Sequence, residues 1–584
     1  MAVKIHIDGR EHEVQEGQTI LEACRELGVN VPTLCYHAAL STVGTCRVCV
    51  VEVEGARNLQ PACVTQVTDG MQIKTKSTRV NNAIRFNLGL LLSNHPNDCM
   101  TCDVNGNCEF QDLIYQYDVK DMFPKSLRDV PYDTSSPSLF RDMTKCITCG
   151  RCVRACTELQ GLSILSEVER GYHVLPLPSL GAPIGATDCI NCGQCATVCP
   201  VGAITERMDF RKVLHELDIR EKVLVVQTAP SVRVALGEEF GEEPGTITTG
   251  KMVAALRRLG FDYVFDVNFS ADLTIMEEGS ELLERLKKGG KFPMFTSCCP
   301  GWINLVEKYY PEFTENLSSA KSPQEMLGPL VKTYFAKKIG KRPEDIFLVS
   351  IMPCTAKKDE AERPQQRVDG IQTIDAVLTT RELGKIIKMH KIPYESLEEE
   401  DYDEPLGIST GAAAIFGTTG GVMEAALRTA YELHTGEPLP KLDFDDVRGF
   451  EGIKETVVDI KGTKLRVAVA HGGANLVKLM EKIKSGEAEY DFVEMMACPG
   501  GCIGGGGQPK SNRIGYLQDR MKSIYEIDTD KKLRKSHENP AIIKIYEDYL
   551  GKPLSHLSHE LLHTTYTNRK ASVIEREKEL EKVK

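Results

Sequence analysis

The pattern of apolar and polar positions predicts an α/β region in the second part of the chain. After about residue 223, short apolar runs rich in β-branched residues alternate with amphipathic helical segments, which is typical of buried parallel strands joined by helices. The predicted strands are VLVVQ (223–227), YVFDV (263–267), FPMFTS (292–297), DIFLVSIM (345–352), AVLTT (376–380), LRVAVAH (465–471) and FVEMMA (492–497). We therefore expect an α/β domain with mostly parallel sheets.

The segments before this region are patterned as smaller α+β units. VKIHIDGREHEV alternates around Asp8-Gly9 and predicts a hairpin, while TILEACRELG (19–28) has helical periodicity. NNAIRFNLGLLLSN predicts a further helix before a cysteine-rich loop, and two cysteine-rich repeats follow it. The charged end, VIEREKELEKVK, predicts a surface helix or a frayed terminus. The predicted units are residues 1–80, 81–125, 126–210, 211–515 and 516–584.

Composition narrows the class of protein. The 584 residues carry 71 basic and 83 acidic side chains, a net charge of −12, which argues against a general nucleic-acid binder. The start, MAVKIHIDGREHEV, lacks the apolar core of a secretory signal. No membrane span is predicted, because the sequence contains no run of about 18 apolar residues. We therefore expect a cytoplasmic protein. In a reducing compartment, 21 cysteines point to metal ligands and catalytic groups rather than disulfides.

The first cysteine group has the spacing C-x10-C-x2-C-x13-C. Three of its members come from one loop and the fourth comes from further along the chain, which favours a [2Fe–2S] cluster in a β-grasp ferredoxin-like domain. A four-thiolate zinc site is the alternative. The members are Cys35, Cys46, Cys49 and Cys63.

The second group lies in HPNDCMTCDVNGNC, with the spacing H-x3-C-x2-C-x5-C. Alone, three thiolates and one imidazole also make an ordinary structural zinc set. Between two other iron–sulfur motifs, the group favours a [4Fe–4S] cluster with one histidine ligand. The members are His95, Cys99, Cys102 and Cys108.

The third group is the most specific. CITCGRCVRAC and CINCGQCATVCP repeat C-x2-C-x2-C-x3-C, the bacterial ferredoxin pattern for two [4Fe–4S] clusters, in which the fourth cysteine of each run binds the other cluster. The first predicted ligand set is Cys146, Cys149, Cys152 and Cys199, and the second is Cys189, Cys192, Cys195 and Cys156. Paired zinc ribbons are the alternative for this group. They explain neither the three-residue spacing before the fourth cysteine of each run nor Pro200, which follows the last cysteine.

The last five cysteines follow predicted strands in TSCCPGW, MPCTAKKDE and MACPGGCIGGGGQP. The carboxyl ends of strands are where α/β sheets bind ligands, and four thiolates from three loops could hold another [4Fe–4S] cluster. The glycines around Cys502 are expected to allow close backbone approach to a bulky inorganic ligand. They lack the Gly-Lys-[Ser/Thr] ending of a phosphate-binding loop.

These three segments resemble the signature loops of the [FeFe]-hydrogenases, and with the N-terminal motifs the resemblance to the clostridial-type enzymes covers nearly the whole chain. It implies a two-lobed α/β catalytic domain after ferredoxin-type domains, catalysing 2H⁺ + 2e⁻ ⇌ H₂. It also implies an H-cluster, which is a [4Fe–4S] cluster joined to a two-iron subcluster with CO, cyanide and azadithiolate ligands. By motif, the H-cluster ligands would be Cys299, Cys354, Cys498 and the bridging Cys502.

The same resemblance assigns roles to other residues of the catalytic domain. Lys357 would bind an iron-bound cyanide, whereas the neighbouring Lys358 is expected at the surface. Pro230, Ser231 and Gln324 would contact the diatomic ligands. Met352 and Met496 would line the pocket, although methionines beside strands are more often core residues.

The resemblance also implies a proton relay of Cys298, Glu278, Ser318, Glu281 and Arg285. The two glutamates and the arginine are spaced i, i+3 and i+7, so one helix face carries them. Without the resemblance, a solvated salt-bridged face is the ordinary interpretation. In the relay, burial should raise the pKa of a carboxyl group that changes protonation near neutral pH.

Two residual motifs have simpler interpretations. Cys24 lies in a predicted helix and is interpreted as a packing residue. The tail segment SHLSHELLHTTY contains His559 and His563 in an HExxH pattern, which is typical of zinc proteases. No third ligand pattern follows, and the segment resembles the family's terminal helical segment.

The redox partner is open at the level of sequence. The chain could exchange electrons with ferredoxin through four accessory clusters, or it could be the catalytic subunit of an NAD(P)-linked or electron-bifurcating complex. Its N-terminal third also resembles the iron–sulfur subunit of respiratory complex I. No G-x-G-x-x-G or flavin motif is found, so nicotinamide chemistry would require a flavin- or NAD(P)-binding partner subunit. A non-catalytic electron relay or hydrogen sensor is the remaining alternative.

Overall fold

The N-terminal unit of the protein is a small mixed sheet. The computed structural model describes residues 2–583. Five strands pair in the order β2-β1-β5-β3-β4, and Asp8 and Gly9 form the predicted β1–β2 turn with φ values of 49° and 83°. Helix α1 (Ile20–Glu26) starts at the capping residue Thr19 and buries Cys24 against this sheet. The strands are β1 Ala2–Ile7, β2 Arg10–Gln15, β3 Val50–Val53, β4 Gln60–Pro61 and β5 Gln72–Lys74.

The two cysteine repeats form a compact unit with two short antiparallel sheets. Each repeat passes through a glycine in the left-handed region, Gly150 at φ 70° and Gly193 at φ 73°, immediately before a one-turn helix. The elements from α2 to this unit are α2 Thr78–Ser93, α3 Glu109–Gln116, β6 Leu139–Arg141, α4 Arg151–Arg154, β7 Leu165–Val168, β8 Leu175–Pro178, α5 Gln194–Thr197 and β9 Ile204–Glu206.

The predicted catalytic domain has two four-stranded sheets, one in each lobe, and these sheets are mostly parallel, as expected. In the first lobe the order is β11-β10-β13-β14 and all pairs are parallel. In the second lobe the order is β12-β17-β16-β15, in which only β15 is antiparallel. The strands are β10 Val223–Thr228, β11 Tyr263–Asp266, β12 Met294–Phe295, β13 Ile346–Met352, β14 Ala376–Thr379, β15 Ile453–Ile460, β16 Thr463–His471 and β17 Phe492–Met496.

Helices cover both sheets and bury an apolar core in each lobe. They are α6 Phe210–Ile219, α7 Thr249–Leu259, α8 Val267–Lys288, α9 Pro300–Tyr309, α10 Pro323–Leu330, α11 Ala336–Lys338, α12 Ala356–Glu362, α13 Thr380–Met389, α14 Gly411–Ala414, α15 Gly421–Thr435 and α16 Gly473–Ser485.

The C-terminal segment is helical, as predicted, and it packs on the rest of the chain. Residue His563 pairs with Ala320 in a short β-bridge, so the segment lies across the catalytic domain. The last helix contacts residues 184–186, and Arg576 on it is buried and pairs with Asp188 at 2.6 Å. The terminus is therefore packed rather than frayed at this point. The helices are α17 Tyr516–Asp530, α18 Pro540–Ile545, α19 His556–Leu562 and α20 Val573–Val583.

Across residues 2–583, none of the helices combines the length and the apolar character needed to cross a bilayer.

A buried arginine joins the repeat unit to the catalytic domain. Arg381 on α13 pairs with Glu206 on β9 at 2.6 Å and donates to the carbonyl oxygen of Gly506 at 2.9 Å. Burial alone would raise the pKa of Glu206, but the Arg381 charge lowers this pKa to about 2. The pair therefore stabilises the fold above the ordinary carboxyl pKa, and this contribution is lost only as the pH falls towards about 2.

We expect Arg381→Met to lower the free energy of unfolding at neutral pH by about 3–5 kcal/mol, because Glu206 is then buried without its partner. Chemical denaturation of the purified protein measures this loss. The double variant Arg381→Met/Glu206→Gln should recover part of it, because no unpaired charge is left. Equal losses in the single and double variants would contradict this explanation.

Candidate active site

Five cysteines from three loops surround one cavity between the two lobes. The loops follow β12, β13 and β17, so the predicted strand ends deliver these residues to a common point. The cavity has a volume of about 70 Å³, several times the roughly 15 Å³ that a water molecule requires. None of the five thiols is in a disulfide. They are Cys298, Cys299, Cys354, Cys498 and Cys502.

The residues predicted to line this cavity are mostly found there. Pro230, Gln324, Met352 and Met496 all contribute to its wall. Ser231 is fully buried beside Pro230, but it is not among the lining residues, and its hydroxyl has no hydrogen-bond partner among the described residues. An unpartnered hydroxyl at this depth is compatible with a bound group that supplies the missing hydrogen bond.

Lys357 also lines the cavity, and its ammonium group is held by two contacts. Its Nζ donates to the carbonyl oxygen of Cys298 at 3.1 Å and to Glu360 at 2.7 Å. Burial alone would lower the pKa of Lys357, but the Glu360 carboxylate holds this pKa above its ordinary value. The cavity therefore has a fixed positive charge at its edge. Sequence reasoning missed Glu360, which has no motif of its own beyond its position three residues after Lys357.

The expectation that Lys358 is a surface residue is wrong. Its side chain is buried, and its Nζ pairs with Glu382 at 2.9 Å and with Asp209 at 2.9 Å. Adjacent residues at the start of a helix point in different directions. Lys357 therefore lies in the cavity wall, while Lys358 joins α12 to the start of α13.

Gly501 and Gly505 line the cavity, so close approach of the backbone to a bound group stays a prediction, and the glycines around Cys502 also lie where protein segments pack closely. A Cβ at Gly505 would lie 2.2 Å from the carbonyl oxygen of Pro353, and one at Gly506 would lie 2.2 Å from that of Cys192. Gly500, on the other side of Cys502, would meet the ring of Phe450 at 2.8 Å. These glycines therefore allow protein segments to pack closely, and the contact at Gly506 joins the repeat unit to the catalytic loop.

The predicted relay residues lie together beside the cavity rather than on a solvated face. Ser318 donates to Glu281 at 2.8 Å, and Arg285 pairs with the other oxygen of Glu281 at 2.6 Å. Glu281 and Arg285 retain 13% and 16% side-chain exposure, so this end of the group reaches solvent. Glu278 is fully buried and lies close enough to affect the ionisation of Cys298 electrostatically.

Glu278 has the electrostatic property expected of a proton carrier. Burial raises its pKa to about 8, and the negative charge of Glu281 acts in the same direction. The Ser318 hydroxyl and the Ser297 backbone oppose this shift only weakly. Neither carboxyl oxygen makes a well-formed hydrogen bond within the part of the chain that the structure describes. The carboxyl group is therefore protonated near neutral pH and can lose that proton.

The two cysteine repeats surround two separate small cavities of about 20 Å³ each. The crossed arrangement expected from the spacing is present, because the fourth cysteine of each repeat lies with the first three of the other. The first cavity has Cys146, Cys149, Cys152 and Cys199 in its wall, and the second has Cys156, Cys189, Cys192 and Cys195.

The histidine-containing group has one ring nitrogen free for a ligand. His95 is buried, and its Nδ1 lies 2.7 Å from the carbonyl oxygen of Pro96. Its Nε2 is without a partner among the described residues. A ring held by Nδ1 with a free Nε2 is the usual state of a metal-binding histidine. Cys102 lies close enough to Cys99 and Cys108 for their charges to interact.

The first group is equally compact. The Sγ atoms of Cys49 and Cys63 are 3.4 Å apart, and Cys35 makes side-chain contacts with both Cys46 and Cys63. Arg154, which sequence reasoning did not single out, donates to the carbonyl oxygens of Cys35 at 2.7 Å and Cys149 at 3.4 Å. This buried arginine connects the first group to one of the repeats.

The tail histidines do not form a zinc site. His563 directs Nδ1 to Ser319 at 2.8 Å and Nε2 to Glu277 at 3.1 Å, so both of its nitrogens are engaged. His559 is exposed, and its ring lies beside that of His563 with centroids 4.3 Å apart and planes tilted by 41°.

Family models match most of the chain in consecutive segments. The catalytic region, residues 222–506, matches the C-terminal domain of the iron only hydrogenase large subunit, and residues 514–569 match the iron hydrogenase small subunit. The matches before them are a 2Fe-2S iron–sulfur cluster binding domain (1–78), the NADH-ubiquinone oxidoreductase-G iron–sulfur binding region (85–122) and a 4Fe-4S dicluster domain (145–203). The chain therefore carries iron–sulfur cluster domains of both the 2Fe-2S and 4Fe-4S kinds.

Several known hydrogenases are similar to this chain. It is 50% identical to the NADP-reducing hydrogenase subunit HndD of Solidesulfovibrio fructosivorans, over 97% of this chain and 99% of that protein. It is 44% identical to iron hydrogenase 1 of Clostridium pasteurianum, over 96% of this chain and 99% of that protein. The structure of an apo [FeFe]-hydrogenase HydA1 variant from Chlamydomonas reinhardtii matches with a TM-score of 0.57 and 48% identity, covering 62% of this chain and all of that one.

Full-length similarity, the two-lobed fold and the cysteine-lined cavity agree, and the chain belongs to the [FeFe]-hydrogenase family, as an oxidoreductase that interconverts H₂ with protons and electrons.

Proposed function

We propose that the central cavity holds an H-cluster bound by Cys299, Cys354, Cys498 and Cys502. The observation that carries this proposal is the convergence of these thiols, Cys298 and Lys357 on one cavity between the lobes. The bound group would supply the iron centre at which two protons and two electrons combine to give H₂. The chain would hold this group, deliver protons to it and exclude bulk water from it.

Protons would move between the cavity and solvent through the five relay residues. Cys298 in the cavity wall would exchange a proton with the buried Glu278, whose pKa of about 8 suits it to give and regain a proton near neutral pH. Ser318 would pass the proton to Glu281 across their 2.8 Å hydrogen bond. Arg285 would hold Glu281 in position where the relay reaches the surface.

Lys357 would fix an anionic ligand of the bound group. An ammonium group has three N–H donors, and the Cys298 carbonyl oxygen and Glu360 account for two of them. The third is available to a ligand in the cavity. Pro230, Ser231, Gln324, Met352 and Met496 would shape the rest of the pocket.

Electrons would reach the cavity through four accessory clusters, one [2Fe–2S] and three [4Fe–4S], held by the cysteine and histidine groups described above. Close contacts between these groups support this route. Gly506 of the catalytic loop packs so closely on Cys192 that an added Cβ would lie 2.2 Å from the Cys192 carbonyl oxygen. Gly202, which follows the second repeat, packs on Cys102 in the same way, with 3.2 Å between such a Cβ and the Cys102 Sγ. Arg154 bridges Cys35 and Cys149. We also propose a cytoplasmic location, where free thiols stay reduced until clusters are inserted.

A second proposal concerns the electron partner. Similarity over 97% of the chain to a subunit of an NADP-reducing hydrogenase favours a role as the catalytic subunit of a larger complex with flavin- or NAD(P)-binding subunits. Direct exchange with ferredoxin is the alternative.

Expression with the [FeFe]-hydrogenase maturation enzymes and anaerobic purification test both proposals. The holoprotein should show infrared bands of CO and cyanide ligands and should evolve H₂ from an artificial reductant. Replacement of Cys502 by alanine should remove these bands. Unchanged bands in the variant would contradict the ligand assignment. Recovery of flavin-containing subunits with the tagged chain from its native cell would support the complex, whereas rapid turnover with purified ferredoxin and no such subunits would support the alternative.

A further inference from the structure

A second hydrogen-bonded chain leaves Glu281 in a direction that the relay does not use. The same oxygen of Glu281 that accepts from Ser318 also accepts from the Ser319 backbone at 3.0 Å and from the Ser319 hydroxyl at 3.2 Å. The Ser319 hydroxyl lies 2.8 Å from His563 Nδ1. His563 Nε2 lies 3.1 Å from Glu277. An unbroken chain of hydrogen bonds therefore runs from a relay carboxylate into the protein.

The far end of this chain is buried and already saturated with donors. The Glu277 side chain is fully buried, and its two oxygens accept from the Tyr546 hydroxyl at 2.6 Å and from the Leu554 backbone at 2.8 Å. Its remaining neighbour is His563, which is itself only 8% exposed. A proton on the imidazole would therefore lie beside a carboxyl group whose two oxygens are already held by other donors.

The tail segment positions this histidine. Backbone hydrogen bonds from Thr564 to Ser319 and from Lys321 to Leu562 align the two segments, with Ala320 opposite His563. The groups that face the imidazole are Glu277 on one side, Ser319 with Glu281 behind it on the other, and the exposed ring of His559 at 4.3 Å. Arg285 reaches it only through Glu281, and Tyr546 only through Glu277.

We propose that Ser319, His563 and Glu277 form a proton-storage branch of the relay. A protonated Glu281 gives its proton to the Ser319 oxygen while the Ser319 hydroxyl gives its own proton to His563 Nδ1. The products are a Glu281 carboxylate, an unchanged Ser319 and an imidazolium paired with Glu277. The reverse transfer returns the proton, so two protons can be held close to the cavity for one H₂. This inference rests on the proposed relay, to which His563 is connected only through Ser319 and Glu281.

The test compares the pH dependence of both reaction directions in His563→Gln. During H₂ evolution the branch donates, so the wild-type rate should exceed that of the variant about threefold at acid pH, where the branch can be loaded with a proton, and equal it at alkaline pH, where it cannot. During H₂ oxidation the branch accepts protons, so the wild-type rate should exceed that of the variant at alkaline pH instead. Such a storage branch should matter less than a required acid–base group, which contributes about 10²–10⁴-fold.

Ser319→Ala is the second variant, because it cuts the branch without changing the imidazole. Its rates of H₂ evolution and H₂ oxidation should depend on pH in the same way as those of His563→Gln. Ser319→Thr, which keeps the hydroxyl, should restore the pH dependence of the wild type. The matched control is His559→Gln, one turn away on the same segment, which should keep the wild-type profiles. As a readout independent of turnover, infrared difference spectra of the resting holoprotein across the pH range should lose one imidazolium signal in His563→Gln but keep it in Ser319→Ala.

Equal rate losses at every pH in His563→Gln would overturn the branch, as would wild-type profiles in Ser319→Ala or altered profiles in His559→Gln. These outcomes are separable from failure of the relay itself. If Cys298→Ala abolishes turnover while the branch variants behave as wild type, only the branch is wrong. If Cys298→Ala is active, the relay is wrong.

Discussion

Replacement of Cys298 by alanine should lower H₂ turnover by about 10²–10⁴-fold in both directions, the range that a positioned acid–base group contributes when proton transfer depends on it. The thiol lies in the wall of the central cavity and is adjacent to Cys299, but our ligand assignment does not include it. Its loss should therefore stop proton delivery and leave the bound group in place. Initial rates of H₂ evolution and oxidation measure the effect.

Two observations separate this explanation from a general loss of the site. The iron content and the infrared bands of the CO and cyanide ligands should be the same in Cys298→Ala as in the wild type. Cys24→Ala is a matched control, because Cys24 is also a thiol outside every proposed ligand set and is fully buried in the N-terminal unit, far along the chain from the cavity. Its turnover should not change. A Cys298→Ala variant with near wild-type turnover would contradict the relay.

Much of this architecture is predictable from sequence because it is local. All seven predicted strands of the catalytic domain form, since apolar runs of four to eight residues between helices have few other solutions in an α/β fold. The one strand of these two sheets that sequence reasoning misses, β15, alternates buried and exposed residues at the edge of its sheet, so it lacks the continuous apolar pattern of the others. The crossed cysteine sets also follow from spacing alone.

The errors arise where the determining contact is distant in sequence. Sequence reasoning places Lys358 at the surface because no nearby residue reveals its partners, Asp209 and Glu382, which come from other segments. Nor does it reveal that Gly505 and Gly506 pack against the backbone of Pro353 and Cys192. A single sequence gives the chemistry of a residue, but it does not give the segment packed against it.

Burial of the relay glutamates is a further property that sequence leaves open. The spacing of Glu278, Glu281 and Arg285 fits a solvated helix face as well as a relay. The structure distinguishes the two because α8 is enclosed by α10, α15 and the tail. Carboxyl groups on a helix that is buried on most sides lower the stability of the fold. Such groups are often functional residues.

Glu278→Gln should lower turnover by about 10²–10³-fold, because glutamine has nearly the same shape but cannot carry the proton between Cys298 and Ser318. Glu278→Asp keeps the carboxyl group and shortens its reach by one methylene, so it should retain more activity than the glutamine variant. Glu284→Gln is the matched control on the same helix. Its side chain is 43% exposed and pairs with Lys288 at the surface, so its turnover should equal that of the wild type.

The stability of Glu278→Gln should change in the opposite direction to its activity. A carboxyl group with its pKa raised to about 8 stabilises the folded state fully below its ordinary pKa of 4.5, and this contribution is lost as the pH rises through about 8. The wild type should therefore lose thermal stability progressively as the pH rises from about 4.5 to about 8, and the variant should lose less over the same range. Thermal unfolding of both proteins across this range measures the difference. A variant that is inactive and also less stable at alkaline pH would mean that Glu278 supports the structure rather than carrying protons.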